Sequence, residues 1–228
     1  VQTIGAKIGA RLTDNARTTL ARHETVDPRA YDAFLRCRHL VNMGTAQSLE
    51  SGIEKCEEAL RIDPSYAAPL AVLTDAYYFQ DQITSLPAQE LKALVKQTGQ
   101  RAEEIAPGSW VAEYILANIA YDEWDWEAAD RHFVRALRLN SNESGTHLTY
   151  GQYLMHVNRN EEALDHVGAA YQLDPLSAFL AANVGFQLWG LKRYDEALKQ
   201  ADEALLLDKN NWVAHWLKGA VFIDAGRF

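Results

Sequence analysis

ALRLNSNES at 136–144, AYQLDPLSA at 170–178 and ALLLDKNNW at 204–212 close three segments in the same way, and ALRIDPSYA at 59–67 closes a fourth. The leading alanines Ala136, Ala170 and Ala204 lie 34 residues apart, and Ala102 stands another 34 before Ala136. A second column runs Ala129, Ala163, Ala197, and a third runs Ala117, Gly151, Gly185, Gly219, both with the same period of 34. Three small-residue columns on one period describe a stacked repeat. Where the backbone of one helix crosses another, only Gly, Ala or a similar side chain fits. Leu116, Phe133, Tyr150, Val184, Leu188 and Leu205 fill the spaces between. No such hairpin buries its apolar face alone, so stacking supplies the core.

The predicted helices pair as 28–43 with 46–62, 66–82 with 87–106, 109–121 with 126–140, 143–156 with 160–173, and 177–190 with 194–207, and a single helix follows at 211–225. Pro64 and Pro175, each after Asp, suit a helix start because Pro lacks the N–H that a first turn leaves unused. The step from Pro64 to Pro107 is 43, nine more than the period, and the extra residues fall in FQDQITSLPAQEL at 79–91. They are expected to lengthen the loop and the start of the helix at Pro87. A longer turn is also expected in the first hairpin, from Gly44 to Ser51.

A 34-residue helix pair with small residues in these columns resembles the tetratricopeptide repeat (TPR). The likeness covers about residues 28–228. It implies an all-α, right-handed superhelical solenoid of antiparallel hairpins, with about five and a half repeats. Residues 1–26 stand outside the period and are expected to be a helical lead-in, with Thr13-Asp14 capping the second of two short helices. ARLTDNARTTLAR, DPRAYDAFLRCRH, ALRIDPSYAAPLAVLTDAYY and YDEWDWEAADRHFVRALRLN together resemble the junction in multidomain bacterial signalling proteins. There a TPR array follows a winged-helix or nucleotide cyclase domain, often through a TolB-like linker. That resemblance implies that the lead-in is the tail of an upstream domain. At the other end, Phe228 corresponds to Tyr194 plus 34, so the array over 27–228 is expected to stop inside a sixth repeat. The last helix carries Trp212, Val213, Trp216, Leu217, Val221 and Phe222 on more than one face, so further repeats or a homodimer contact are expected to cover it.

Bulk properties narrow the function. The chain has 228 residues with 22 Lys+Arg against 31 Asp+Glu, a formal charge of −9 that repels phosphate backbones. Ala178–Leu191, interrupted by Asn183 and Gln187, falls short of the roughly 18 apolar residues a membrane span needs. Two cysteines, Cys37 and Cys56, are too few for a disulfide scaffold and are expected to be buried thiols in a reducing, cytoplasmic compartment.

Catalytic signatures are absent: there is no G-x-x-x-x-G-K-[ST], G-x-S-x-G or H-E-x-x-H. The seven histidines show no metal-ligand spacing, although His156 and His166 flank a turn and could approach each other. The expectation is therefore a non-enzyme with no cofactor and no metal. Trp124 and Trp126, in YDEWDWEAA at 121–129, are expected to plug a hairpin end, with a recognition surface as the alternative reading.

The TPR likeness further implies that the first helix of each hairpin lines a concave groove. The positions so assigned are Asp75, Tyr78 and Phe79; Tyr114, Asn118 and Tyr121; Leu148, Gln152, Met155 and His156; Phe179, Ala182, Asn183, Phe186 and Trp189; and Val213 and Trp216. These are aromatic, apolar and amide residues without Lys or Arg. That excludes the carboxylate clamp with which some TPR domains hold acidic chain termini. The expected ligand is a protein or peptide segment with apolar anchors, its backbone bonded by Asn118, Gln152 and Asn183. Nucleic acid and membrane are not expected partners. A structural spacer or self-association role is the alternative.

Overall fold

The computed structural model describes residues 26–84 and 87–226. The expected lead-in helices and the correspondence of Phe228 lie outside the described residues. The elements are α1 (Pro28–Asn42), α2 (Ala46–Ile62), α3 (Ala68–Thr84), α4 (Ala88–Ile105), α5 (Trp110–Asp122), α6 (Trp126–Leu139), α7 (Ser144–His156), α8 (Asn160–Leu173), α9 (Ala178–Gly190), α10 (Tyr194–Leu207) and α11 (Trp212–Asp224). Among the described residues all regular structure is helical. The two helices of each hairpin pack on each other, each even-numbered helix packs on the odd one that follows, and α1 meets α3, α3 meets α5 and α9 meets α11. The result is an all-α repeat solenoid.

The repeat sets the helix ends chemically. Ser109, Ser177 and Asn211 cap α5, α9 and α11 by accepting the N–H of Ala112, Leu180 and Ala214. Each such cap is worth about 1 kcal/mol. The turn inside each later hairpin carries one left-handed residue, again every 34 positions: Trp124 (φ 63°), Asn158 (φ 63°), Lys192 (φ 60°) and Gly226 (φ 62°). That geometry lets the chain reverse in a few residues. It costs a non-glycine residue about 1–2 kcal/mol.

The small-residue columns are where helices meet. Ala102, Ala129, Ala136, Ala163, Ala170, Ala197 and Ala204 are all buried. A Cβ on Gly151 would come within 2.5 Å of Val167 Cγ2 and 3.0 Å of the Ala163 carbonyl oxygen. On Gly185 it would meet Leu217 Cδ2 at 2.6 Å. Gly219, in the same column, has nothing within 4 Å. Tyr114, Ile115, Phe133 and Leu154 fill the space between crossings.

Three expectations need correction. The insertion lengthens the helix after Pro87, as expected, but the rest of it goes into the preceding helix and not into a longer loop: α3 has 17 residues against 13 in α5, and α4 has 18 against 14 in α6. Four extra residues make about one turn, so each helix keeps its apolar face toward the core. The turn of the first hairpin is short, because Gly44 (φ 63°) reverses the chain and a Thr45–Ser48 capping box starts α2 at Ala46. Cys37 and Cys56 are joined as a disulfide between α1 and α2, with Cα atoms 5.2 Å apart, and are not free thiols. Both occupy fully buried small-residue positions on facing helices, which brings their Cβ atoms within bonding reach. The bridge removes the case for a reducing compartment that free thiols would have made.

Candidate functional site

The odd-numbered helices line the inner side of the array and are tied together by a ladder of polar side chains. Tyr114 Oη on α5 donates to the Asp75 carboxylate on α3 and lies 3.0 Å from Thr149 Oγ1 on α7. Tyr121 Oη pairs with His156 Nδ1, whose ring stacks on it. Trp189 Nε1 donates to Asp224 Oδ2 at 2.9 Å. The Tyr114–Thr149, Tyr121–His156 and Trp189–Asp224 rungs each span 35 residues, one repeat plus one position, which links adjacent odd helices. Tyr78 Oη adds a fourth tie by donating to Asp122 at 2.6 Å.

Inside this wall lies a cavity of about 670 Å³. That is within the roughly 300–1,000 Å³ typical of ligand sites. Every groove residue in the expected set lines it, except Trp189 and Ala182. Trp189 packs behind the lining against Phe186 and Trp216, with ring centroids 5.4 and 5.5 Å away. Ala182 is fully buried at a helix contact. The rings of Phe79 and Phe179 meet edge to face at 5.5 Å, joining α3 to α9 across the concave side. Sequence reasoning missed Asn42, Ser144, Gly145, Thr149, Asp174, Ser177, Leu180 and Trp212 in the lining. Asp174, Ser177 and Trp212 stand in or beside turns between repeats, which a rule based on mid-helix positions does not reach.

The hydrogen bonds leave an uneven supply of polar groups. Asn118, 2% exposed, and Asn183, 7% exposed, each donate Nδ2 to the carbonyl one turn back, of Tyr114 and Phe179. Those bonds fix the amide orientation and leave the Oδ1 acceptors for the cavity. The hydroxyls of Tyr78 and Tyr114 are already spent as donors on carboxylates. The lining includes Asp75 and Asp174 and no Lys or Arg. Asp75 and Glu143 both approach Gly145: their carboxylate oxygens lie 3.6 and 3.9 Å from where a Cβ there would stand. Burial pushes the Asp75 carboxyl up to about 7, opposed by the Tyr114 hydroxyl bond and reinforced by the Glu143 charge. Burial likewise raises Glu143, with Arg38 opposing it, and Asp122, with the Tyr78 bond and Lys92 opposing it. Burial pushes the Tyr121 hydroxyl up to about 12.

A further polar cluster lies between α7 and α8. His166 meets His147, Nδ1 to Nδ1 at 2.9 Å, and its ring lies 4.6 Å from that of Tyr150. His156 and His166, which flank a turn, do not meet, because His166 sits well inside α8 facing α7 while His156 turns to Tyr121. Among the described residues no three His, Cys, Asp or Glu side chains are placed to share a metal ion. No described helix is long and apolar enough to cross a membrane. Trp126 packs on Tyr121 and Tyr153, as expected of a hairpin plug, but Trp124 is 73% exposed because it occupies the left-handed turn position.

Fold and groove together define the class: an all-α helical-repeat solenoid. The TPR protein TTC0263 of Thermus thermophilus superposes with a TM-score of 0.60 at 15% identity, covering 85% of this chain and 99% of that one. Human IFIT1, in a dimer with m7Gppp-AAAA, superposes at 0.64 with 18% identity, covering 80% of this chain and 44% of that one. At these identities the likeness is one of fold. No family model matches the chain. In sequence, the transcriptional regulator HilA of Salmonella typhimurium is 24% identical over 173 residues, 75% of this chain. HilA of Salmonella paratyphi A matches to the same extent. The chain spans 31% of the length of these regulators.

Proposed function

We propose that the chain is a non-catalytic protein-interaction module that holds a segment of a partner protein in its concave groove. The observation that carries this reading is the convergence of aromatic, apolar and amide side chains from six odd-numbered helices on one 670 Å³ cavity. Apolar anchors of the partner would fill the space beside Phe79, Phe179 and Phe186, and its backbone N–H groups would meet Asn118 and Asn183. No cofactor is required. The match to part of a transcriptional regulator supports a place within a larger regulatory protein, as does the resemblance to bacterial signalling junctions. An RNA ligand of the kind in the IFIT1 complex is disfavoured here, because the lining presents carboxylates and no cations to a phosphate backbone.

The test is retention of a lysate protein by the wild-type chain beside a Tyr121→Glu/Phe186→Glu double variant of matching helical circular dichroism. A protein held by the first and lost by the second supports the groove. Identical retention, or none, refutes it.

A second reading rests on α11, where Trp212, Trp216, Phe222 and Ile223 are all exposed. An apolar face of that size on a helix end suits self-association. Light scattering across a concentration series that stays at monomer mass would exclude it.

A further inference from the structure

The same groove carries information about what its occupant contains, and the following rests on the groove reading above. The charged side chains of the cavity are carboxylates. The Asn118 and Asn183 amides donate back to their own helices, and Asp75 lines the cavity beside Gly145 with a carboxyl that a single tyrosine hydroxyl only partly occupies. Two of the lining hydroxyls are committed within the wall, Tyr78 to Asp122 and Tyr114 to Asp75, and the lining holds no Lys or Arg. Cations stand outside: Arg38 acts on Glu143 and Lys92 on Asp122, and neither lines the cavity. An occupant that was only apolar would bury the Asp75 carboxyl further with no new partner, at a cost of order 1–3 kcal/mol or more. An acidic occupant would add repulsion from Glu143 and Asp174.

We infer that the groove selects a peptide segment in which a lysine or arginine is flanked by apolar side chains, with the cation seated against Asp75 beside Gly145. The missing Cβ of Gly145 leaves the approach between Asp75 and Glu143 open. From there the chain runs toward Phe79 and Phe179 on one side and Phe186 and Trp216 on the other, all part of the same lining. A cation in this seat also neutralises the repulsion between Asp75 and Glu143. Arginine has the advantage of the two, since its fork can bond Asp75 and a neighbouring amide oxygen together.

The test uses the full chain and a phage-displayed random heptapeptide library. Groove-directed clones are those that the wild type retains and a Phe186→Glu variant loses. The expected result is enrichment of Lys or Arg next to aromatic or aliphatic residues in these clones, and loss of that enrichment on Asp75→Asn, whose amide oxygen still accepts from Tyr114. One groove-directed peptide is then synthesised with its cation as arginine or as citrulline, which keeps the shape and removes the charge. The citrulline form should bind the wild type at least about tenfold more weakly, the scale of one charge-assisted hydrogen bond. On Asp75→Asn the two forms should bind alike. Equal binding of both forms to the wild type overturns the cation seat and needs no variant to fold; the groove reading then survives. A library that yields no groove-directed clones overturns both.

Discussion

Alanine in place of Gly151 should destabilise the protein, whereas alanine in place of Gly168, in the same hairpin, should stabilise it. Both glycines lie inside helices, Gly151 in α7 and Gly168 in α8. Within a helix, Gly→Ala gains about 1 kcal/mol from backbone entropy and propensity. At Gly168 nothing lies within 4 Å of the new methyl, so that gain stands alone. At Gly151 the methyl would come within 2.5 Å of Val167 Cγ2, a branched side chain with little rotamer freedom, and 3.0 Å from a backbone carbonyl. Overpacking of this kind costs about 1–3 kcal/mol. The net at Gly151 is a loss of about 1 kcal/mol, and the two variants differ by about 2. For a chain of this size 1 kcal/mol moves the melting midpoint by about 2–4 °C. Urea and thermal unfolding followed by far-ultraviolet circular dichroism read the difference. Repeat arrays can unfold in sections, but two sites in one hairpin share that behaviour, so their difference survives it. If Gly151→Ala proves as stabilising as Gly168→Ala, the close crossing of α7 and α8 is wrong, and with it the reason given for the glycine column.

Three further outcomes follow from particular contacts. Lys192→Gly should raise stability by about 1 kcal/mol, since a left-handed residue loses its Cβ penalty, and denaturant midpoints check it. Reducing the Cys37–Cys56 bridge, or replacing both cysteines by alanine, should lower the stability of the first hairpin by about 3 kcal/mol for a loop of 19 residues. Hydrogen exchange should place that loss in α1 and α2. Asp75 holds its proton up to about pH 7 when folded but only to about pH 4 when unfolded, so its contribution makes stability fall as pH rises through that window. A three-unit shift sets a ceiling of about 4 kcal/mol, and partial exposure to the groove brings the expected fall to about 2. His147 and His166, lowered by burial, act in the opposite sense below about pH 6.5. The comparison is therefore wild type against Asp75→Asn at each pH, and a constant difference from pH 4 to 8 would refute the assignment.

The fold was legible because its cause is periodic. Crossing points that admit only Gly or Ala recur every 34 residues, and the same spacing brings back Ser109, Ser177 and Asn211 as caps. What lay off the period was misread. The nine-residue insertion was expected to lengthen the loop and the start of the helix at Pro87, yet helix propagation costs less than loop closure once a helix is packed, so α3 and α4 each took a turn. Cys37 and Cys56 could be assigned to facing buried positions from the pattern, but whether two small side chains bond or merely touch depends on Cβ directions within about an ångström. Trp124 was misjudged because an aromatic residue suggests burial, while its place in the 34-residue column requires a left-handed turn that points it outward.

The groove residues were legible as positions, and their chemistry was not. A mid-helix rule names Tyr114, Asn118 and Tyr121, but it says nothing about which polar atoms remain free once the helices have met. That depends on contacts at a spacing of 35, from one odd helix to the next, and these are set by the lateral offset of stacked hairpins. The bonds that tie neighbouring repeats together take up the tyrosine hydroxyls, while the asparagine amide N–H groups turn back onto their own helices. Stiffening the wall thus takes those hydroxyls from the cavity, whose charged lining residues are Asp75 and Asp174. Loosening one rung should then change recognition as well as rigidity. Tyr114→Phe removes the hydroxyl bond that holds the Asp75 carboxyl down, so near neutral pH Asp75 keeps its proton more firmly and a cationic peptide should bind that variant more weakly than wild type. Titration of the arginine and citrulline peptides against Tyr114→Phe reads the difference. If the arginine peptide keeps its full advantage over citrulline in this variant, the carboxylate is not the cation's seat.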